Sequence, residues 1–209
     1  MNTANKLTLA RLIFVPIFLV VMLLPESVLN FGTSCIIGAA LFICASITDA
    51  LDGKIARKYN MITDFGKFLD PLADKFMVIG ALFVMLYRFG EPLRFWFLVL
   101  TIVIVFRELA VTAARLVANT SDGVVIAANI LGKLKTVFQI ICISSALIET
   151  VLWPFVFKTL LGLDAEWLFE GFFIGYPVTV ISLAATAVLT VWSGIVYISG
   201  CWKYIDPAK

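Results

Sequence analysis

The chain has 209 residues, of which 62% are hydrophobic and only 14% charged, with a formal net charge of +2. Soluble domains carry about 45–50% apolar and about 25% charged residues, so this composition excludes a soluble globular protein, a disordered chain and a nucleic-acid binder. What remains is an all-α integral membrane protein that crosses the bilayer several times.

A bilayer core needs about 20 apolar residues per helix, with a range of about 17–25. Six segments meet that requirement, near residues 8–25, 31–51, 66–89, 95–118, 133–153 and 171–202. The first has no small-x-small cleavage site after its apolar run and reads as a retained span rather than a signal peptide. Pro25-Glu26, Gly90-Glu91-Pro92 and Trp153-Pro154 supply turn chemistry between spans. Residues 154–170, with Trp167 and Phe169, read as an interfacial connection, and Pro16, Pro71 and Pro177 fall inside spans. The small residues of Ser182–Ala187 and Ser193-Gly194 suit close helix packing, within the chain or at a dimer interface.

Six spans place both termini on one side of the membrane. Thirteen of the 16 Lys and Arg residues fall on that side, while Arg88, Arg94 and Lys158 fall on the other. Positive charge collects on the cytoplasmic face, so the expectation is a six-transmembrane-helix bundle with cytoplasmic termini. No internal repeat or soluble extra domain is visible, and residues 1–209 read as one domain. Histidine is absent, which excludes imidazole catalysis and His-ligated metal sites. The four cysteines sit in or against apolar runs without a CxxC pair and read as buried small hydrophobes.

The chemistry gathers in the stretch Ser46–Phe76. Asp49 and Asp52 are three apart at the end of the second span, and Asp70 and Asp74 are four apart at the start of the third. Separations of three and four share one helix face, so two neighbouring helices can bring all four carboxylates together. Four anions so close require a cation or a proton among them. With oxygen donors and no His or Cys, a hard divalent ion such as Mg2+ or Mn2+ is the natural occupant. Gly53 and Gly66 allow close approach of a ligand, Ala56 keeps the wall small, and Arg57 offers a fork for phosphate oxygens.

A second charged set lies further along. Arg107 and Arg115 are eight residues apart, about two helical turns, and lean to the same side of the fourth span. Lys133 and Lys135 open the fifth. Arginines in apolar helices usually have a partner or a ligand. Glu108 is adjacent to Arg107 in sequence, off its face, and is expected to be a poor partner for it. The four cations together read as a pocket for a phosphorylated acceptor; the alternative is snorkelling to lipid headgroups or pairing with the aspartate cluster.

The motif Asp49-x2-Asp52-Gly53-x2-Ala56-Arg57-x8-Gly66-x3-Asp70-x3-Asp74 resembles the signature of the CDP-alcohol phosphotransferase family at every specified position. The resemblance implies a six-helix membrane bundle, usually homodimeric, with its active site on the cytoplasmic side of the bacterial inner membrane. It implies that Asp49, Asp52, Asp70 and Asp74 surround one or two divalent metals and that Asp74 is the general base. Asn5, Thr8, Arg11, Asp52, Gly53, Ala56, Arg57, Thr63 and Gly66 would hold the CDP-lipid. The stretches NKLTLAR (5–11), DPLADK (70–75), RELAVTAAR (107–115) and GKLKT (132–136) resemble the family's bacterial glycerol-phosphate branch. Ala113-Ala114 departs from the Gly-Leu frequent there. That branch implies transfer of the phosphatidyl group from CDP-diacylglycerol to glycerol 3-phosphate, whose phosphate Arg107, Arg115, Lys133 and Lys135 would bind. Other readings stay open from sequence alone: a different acceptor, such as phosphatidylglycerol or an inositol phosphate, or a cation transporter with an acidic site.

Overall fold

The structure is a computed structural model that describes residues 3–58, 64–122, 130–160, 162 and 175–202. Among these residues it is all-helical, with α1 Thr3–Leu23, α2 Phe31–Lys58, α3 Asp64–Arg88, α4 Leu93–Asp122, α5 Ile130–Leu160 and α6 Pro177–Cys201. Thr63, Trp167 and Phe169 lie outside the described residues, as does most of the expected 154–170 connection.

Four of the helices, α2, α4, α5 and α6, are long and apolar enough to cross a membrane. The apolar part of α1 is shorter, Thr8–Leu23. In α3 the charges at Asp64, Lys67, Asp70, Asp74 and Lys75 leave only Phe76–Tyr87 free of them, which is why that helix falls short of the same length.

Two expected boundaries need correction. Trp153-Pro154 is not a turn, because α5 continues through Pro154 to Leu160. A proline inside a helix removes one i→i−4 bond, and that loss does not end this apolar helix. Pro177 is not inside a span but in the first turn of α6, where its missing N–H would have had no intrahelical partner anyway. The donors that follow are taken by Glu149 of α5, only 4% exposed. Val178 N and Thr179 N donate to its two carboxylate oxygens at 2.9 and 3.0 Å, and Thr179 Oγ1 donates at 2.7 Å. A side chain from the neighbouring helix thus caps α6.

The exterior differs from that of a soluble protein, while the core remains largely apolar. Large apolar residues face outward, Phe106 at 73% and Ile181 at 71% exposure, while Arg11, Lys135, Gln139 and Glu149 are buried. An apolar exterior around polar interior residues is what a hydrocarbon solvent demands. α1 packs on both α2 and α3, α5 on α2 and α6, and α4 on α3 and α6. Phe18 of α1 and Phe42 of α2 meet with ring centroids 5.8 Å apart. Beside them a Cβ on Gly38 would stand 2.6 Å from Met22 Sδ and 3.3 Å from Phe18 Cε2, so α1 and α2 approach closely because that position has no side chain. On α6, Ser182, Thr186 and Ser193 are buried within the chain. These small residues serve intramolecular packing.

Candidate active site

The signature is carried by two continuous helices. α2 extends seven residues past Leu51 to Lys58, and α3 begins at Asp64. Asp49, Asp52, Gly53 and Ala56 therefore follow the i, i+3, i+4, i+7 pattern of one helix face, and Gly66, Asp70 and Asp74 recur every four residues. Gly66 is buried. The side chains of Asn5, Asp52, Ala56, Arg57 and Asp70 lie outside the described residues, as does the surrounding of Gly53, so their grouping rests on backbone register.

The described members show how the charge is balanced. Arg11, fully buried on α1, places Nη1 2.6 Å from Asp49 Oδ1. Thr8, one turn earlier, is also buried. Because α1 packs on both α2 and α3, its arginine is delivered to the carboxylate level from a third helix. Asp74 feels the charges of Asp49 and Arg11 and also those of Glu108 and Lys135. Both charged sets, which the sequence separates by more than thirty residues, thus act on it. Asp49 and Asp74 provide hard oxygen donors of the type Mg2+ and Mn2+ prefer. Among the described residues no three acidic or thiol side chains form a metal-binding group, and Asp52 and Asp70 are the positions whose register would complete one.

The second set converges. A cavity of about 340 Å3 is lined by Asp74 together with Arg107, Arg115, Lys133 and Lys135. All four expected acceptor-binding cations therefore share one space with the expected base. Small-molecule sites span roughly 300–1,000 Å3, which places this cavity at the scale of a compact ligand. Its charged lining comprises Lys75 and those four cations against Asp74 and Glu108, a formal net of +3. That excess suits a dianionic phosphate.

The internal bonding of the cavity corrects one expectation and adds residues that sequence reasoning missed. Glu108 is a partner of Arg107 after all: Arg107 Nη1 donates to Glu108 Oε1 at 2.9 Å. The long guanidinium arm bends around the helix, so adjacency in sequence does not prevent the pair. Lys135 Nζ donates to the same oxygen, and Lys75 Nζ lies 4.0 Å from Oε2 while donating to Thr112 Oγ1 at 3.0 Å. Glu108 thereby holds cations from three helices in one arrangement. Arg115 is fixed from α6, with Nε donating to Tyr197 Oη at 3.2 Å and the guanidinium carbon 5.7 Å from the ring centre. This leaves its two terminal nitrogens, the usual phosphate fork, outside that bond. α6 also approaches Arg107, since a Cβ on Gly194 would lie 3.1 Å from Arg107 Cγ. Gln139, Ser193 and Tyr197 line the cavity as well. The spacing of four between Lys135 and Gln139, and between Ser193 and Tyr197, was the only sequence signal available for them.

Comparison with known proteins shows what the chain is similar to. Residues 1–192 match the CDP-alcohol phosphatidyltransferase family. The chain is 41% identical to the CDP-diacylglycerol–glycerol-3-phosphate 3-phosphatidyltransferase of Bacillus subtilis, with 100% of this chain and 99% of that protein covered. Proteins of the same name from Wigglesworthia glossinidia brevipalpis and Haemophilus influenzae are 36% and 31% identical. The former covers 70% of this chain and 77% of that protein, the latter 94% and 91%. The signature, the all-helical apolar fold and these matches agree: the chain belongs to the CDP-alcohol phosphatidyltransferase family.

Proposed function

We propose that this chain transfers the phosphatidyl group of CDP-diacylglycerol to glycerol 3-phosphate, giving phosphatidylglycerophosphate and CMP. The observation that carries the reading is the single cavity in which Asp74 stands with Arg107, Arg115, Lys133 and Lys135. A base beside a phosphate-sized cationic pocket is what an acceptor with both a hydroxyl and a phosphate requires. The names of the relatives support the same substrates.

In the reaction, the four cations hold the acceptor's phosphate and direct its free hydroxyl toward Asp74. The Asp74 carboxylate takes the hydroxyl proton as the oxygen attacks the diacylglycerol-bearing phosphorus of the CDP-lipid. A new P–O bond forms there, the bond to CMP breaks, and CMP leaves with the electron pair. Such positioning and proton transfer are the usual tasks of a phosphoryl-transfer site. Asp49, Asp52, Asp70 and Asp74 would hold Mg2+ or Mn2+, which supplies neutralisation of pyrophosphate charge when bound. Asn5, Thr8, Arg11, Asp52, Gly53, Ala56, Arg57, Thr63 and Gly66 are assigned to the CDP-lipid. Arg11 has a double role, since its contact with Asp49 also lends positive charge to a crowded acidic site.

The same reading includes a single domain of six spans, with α1 and α3 crossing beside the four helices that have longer apolar stretches. Termini and active site face the cytoplasm across the bacterial inner membrane, supported by the Lys and Arg asymmetry. A two-chain lipid then reaches the site sideways from the bilayer. A homodimer is expected from the family resemblance. The test is CMP release by the purified protein given CDP-diacylglycerol, Mg2+ and a panel of alcohols. Release with glycerol 3-phosphate and not with glycerol, inositol phosphate or phosphatidylglycerol is expected. Release with another acceptor in preference would reassign the branch.

A further inference from the structure

Several polar groups that line the cavity already have hydrogen-bond partners within the chain. Glu108 is taken by Lys135 and Arg107. Thr136 Oγ1 donates to Gly132 O at 3.2 Å, and Ser193 Oγ to Thr190 O at 3.1 Å. Tyr197 Oη accepts from Arg115. Two buried donors of the lining have no hydrogen-bond partner among the described residues: Arg107 Nε, part of a guanidinium already paired with Glu108 through Nη1, and Nε2 of Gln139, a neutral amide on a residue only 3% exposed. Buried amide donors are seldom left unpaired, because the lost hydration is not recovered. A neutral, unpaired donor on a residue that lines a ligand-sized cavity is suited to a group that enters it.

Its position says what that is. Gln139 lies one turn beyond Lys135 on α5, as Val78 lies one turn beyond Asp74, while Ile104 and Ser193 precede Arg107 and Tyr197 by one turn. By helical register these four stand one turn deeper in the bundle than the charged lining, and of the four Gln139 has the unpaired donor. An anion belongs with the cations further out, so the group that meets Gln139 is neutral and accepts a hydrogen bond. On an alcohol phosphate, that group is a hydroxyl. Asp74 takes the hydroxyl that reacts. We propose that Gln139 reads the other one, the non-reacting hydroxyl of a vicinal diol phosphate, and so determines that the acceptor is a glycerol phosphate rather than a simpler hydroxyalkyl phosphate. This rests on the acceptor reading given above and adds to it a specificity-determining residue.

The probe is a pair of acceptors, glycerol 3-phosphate and 3-hydroxypropyl phosphate, which lacks only the second hydroxyl. The readout is the ratio of their kcat/KM values from CMP release. For the wild-type protein a ratio of about ten to one hundred is expected, the scale of one well-placed hydrogen bond in an enclosed site. Gln139→Met keeps the side chain's length and removes its amide, and should bring the ratio to within about threefold of unity. Gln139→Asn, which retains an amide but withdraws it by one methylene, should narrow the ratio too and serves if the Met variant does not accumulate. A ratio that persists in these variants overturns the proposal. So does an equal loss for both acceptors, which marks a structural role, or a wild-type protein indifferent to the hydroxyl. Absence of wild-type CMP release with glycerol 3-phosphate would instead refute the acceptor reading itself, a distinguishable result.

Discussion

Arg115 and Tyr197 allow the acceptor pocket to be tested with worked magnitudes. Arg115 spends Nε on Tyr197 Oη at 3.2 Å, so its remaining nitrogens are available as a fork to phosphate. A hydrogen bond to a charged group contributes about 1.5–3 kcal/mol net. Arg115 is exposed, and solvent competition keeps a two-bond fork to about 2–3 kcal/mol in total rather than twice the single value. At about 1.4 kcal/mol per tenfold, Arg115→Ala should raise the KM for glycerol 3-phosphate about 30- to 150-fold. Tyr197→Phe keeps the ring against the guanidinium and removes one neutral-acceptor bond, about 0.5–1.5 kcal/mol, or roughly 2- to 10-fold in the same KM. Because the tyrosine acts through the arginine, the second change should add less than about twofold in the Arg115→Ala background, a non-additivity typical of touching residues. Steady-state CMP release at saturating CDP-diacylglycerol measures all four proteins. Multiplicative effects, or a change in the KM of CDP-diacylglycerol instead, would refute the assignment of Arg115 to the acceptor phosphate.

Other parts of the structure make independent predictions. Glu149→Ala strips the first turn of α6 of an acceptor for three donors and should destabilise the fold by about 2–4 kcal/mol. This would be read as a lower melting temperature in detergent with an unchanged KM for glycerol 3-phosphate; an unaltered melting temperature would deny the capping role. Gly38→Leu forces side-chain atoms into the space of Met22 and Phe18 and should cost about 1–3 kcal/mol, checked by the same melting experiment. Removal of divalent ions with a chelator should abolish CMP release, and Mg2+ or Mn2+ should restore it. Activity that persists in a fully chelated preparation would contradict the role given to the aspartates.

The parts of the site that could be read in advance are those set by local helical spacing. Asp49 with Asp52, Asp70 with Asp74, and Arg107 with Arg115 stand at intervals that fix a shared face whatever the tertiary fold, and the four cations do reach one cavity with Asp74. What escaped were pairings made between helices. Nothing near Arg11 announces Asp49, thirty-eight residues away, or tells that a buried guanidinium will face it. Glu108 was misjudged because face geometry treats side chains as short, whereas an arginine spans the distance to its neighbour. The start of α6 at Pro177 is set by Glu149 on another helix, so no local capping residue marked it. Gln139 lay hidden in an apolar run, and only the cavity around it gives its amide a meaning.

The central claim is that Asp74 takes the proton of an acceptor seated in the cavity it shares with the four cations. Single-turnover CMP release by Asp74→Asn, with CDP-diacylglycerol, glycerol 3-phosphate and Mg2+ all saturating, tests it most directly. Asparagine preserves the size of the side chain and removes the base, so binding of the CDP-lipid should survive while the rate of CMP release falls by about 10²–10⁴, the usual worth of a positioned base. A variant that binds both substrates and still releases CMP at close to the wild-type rate would contradict the account.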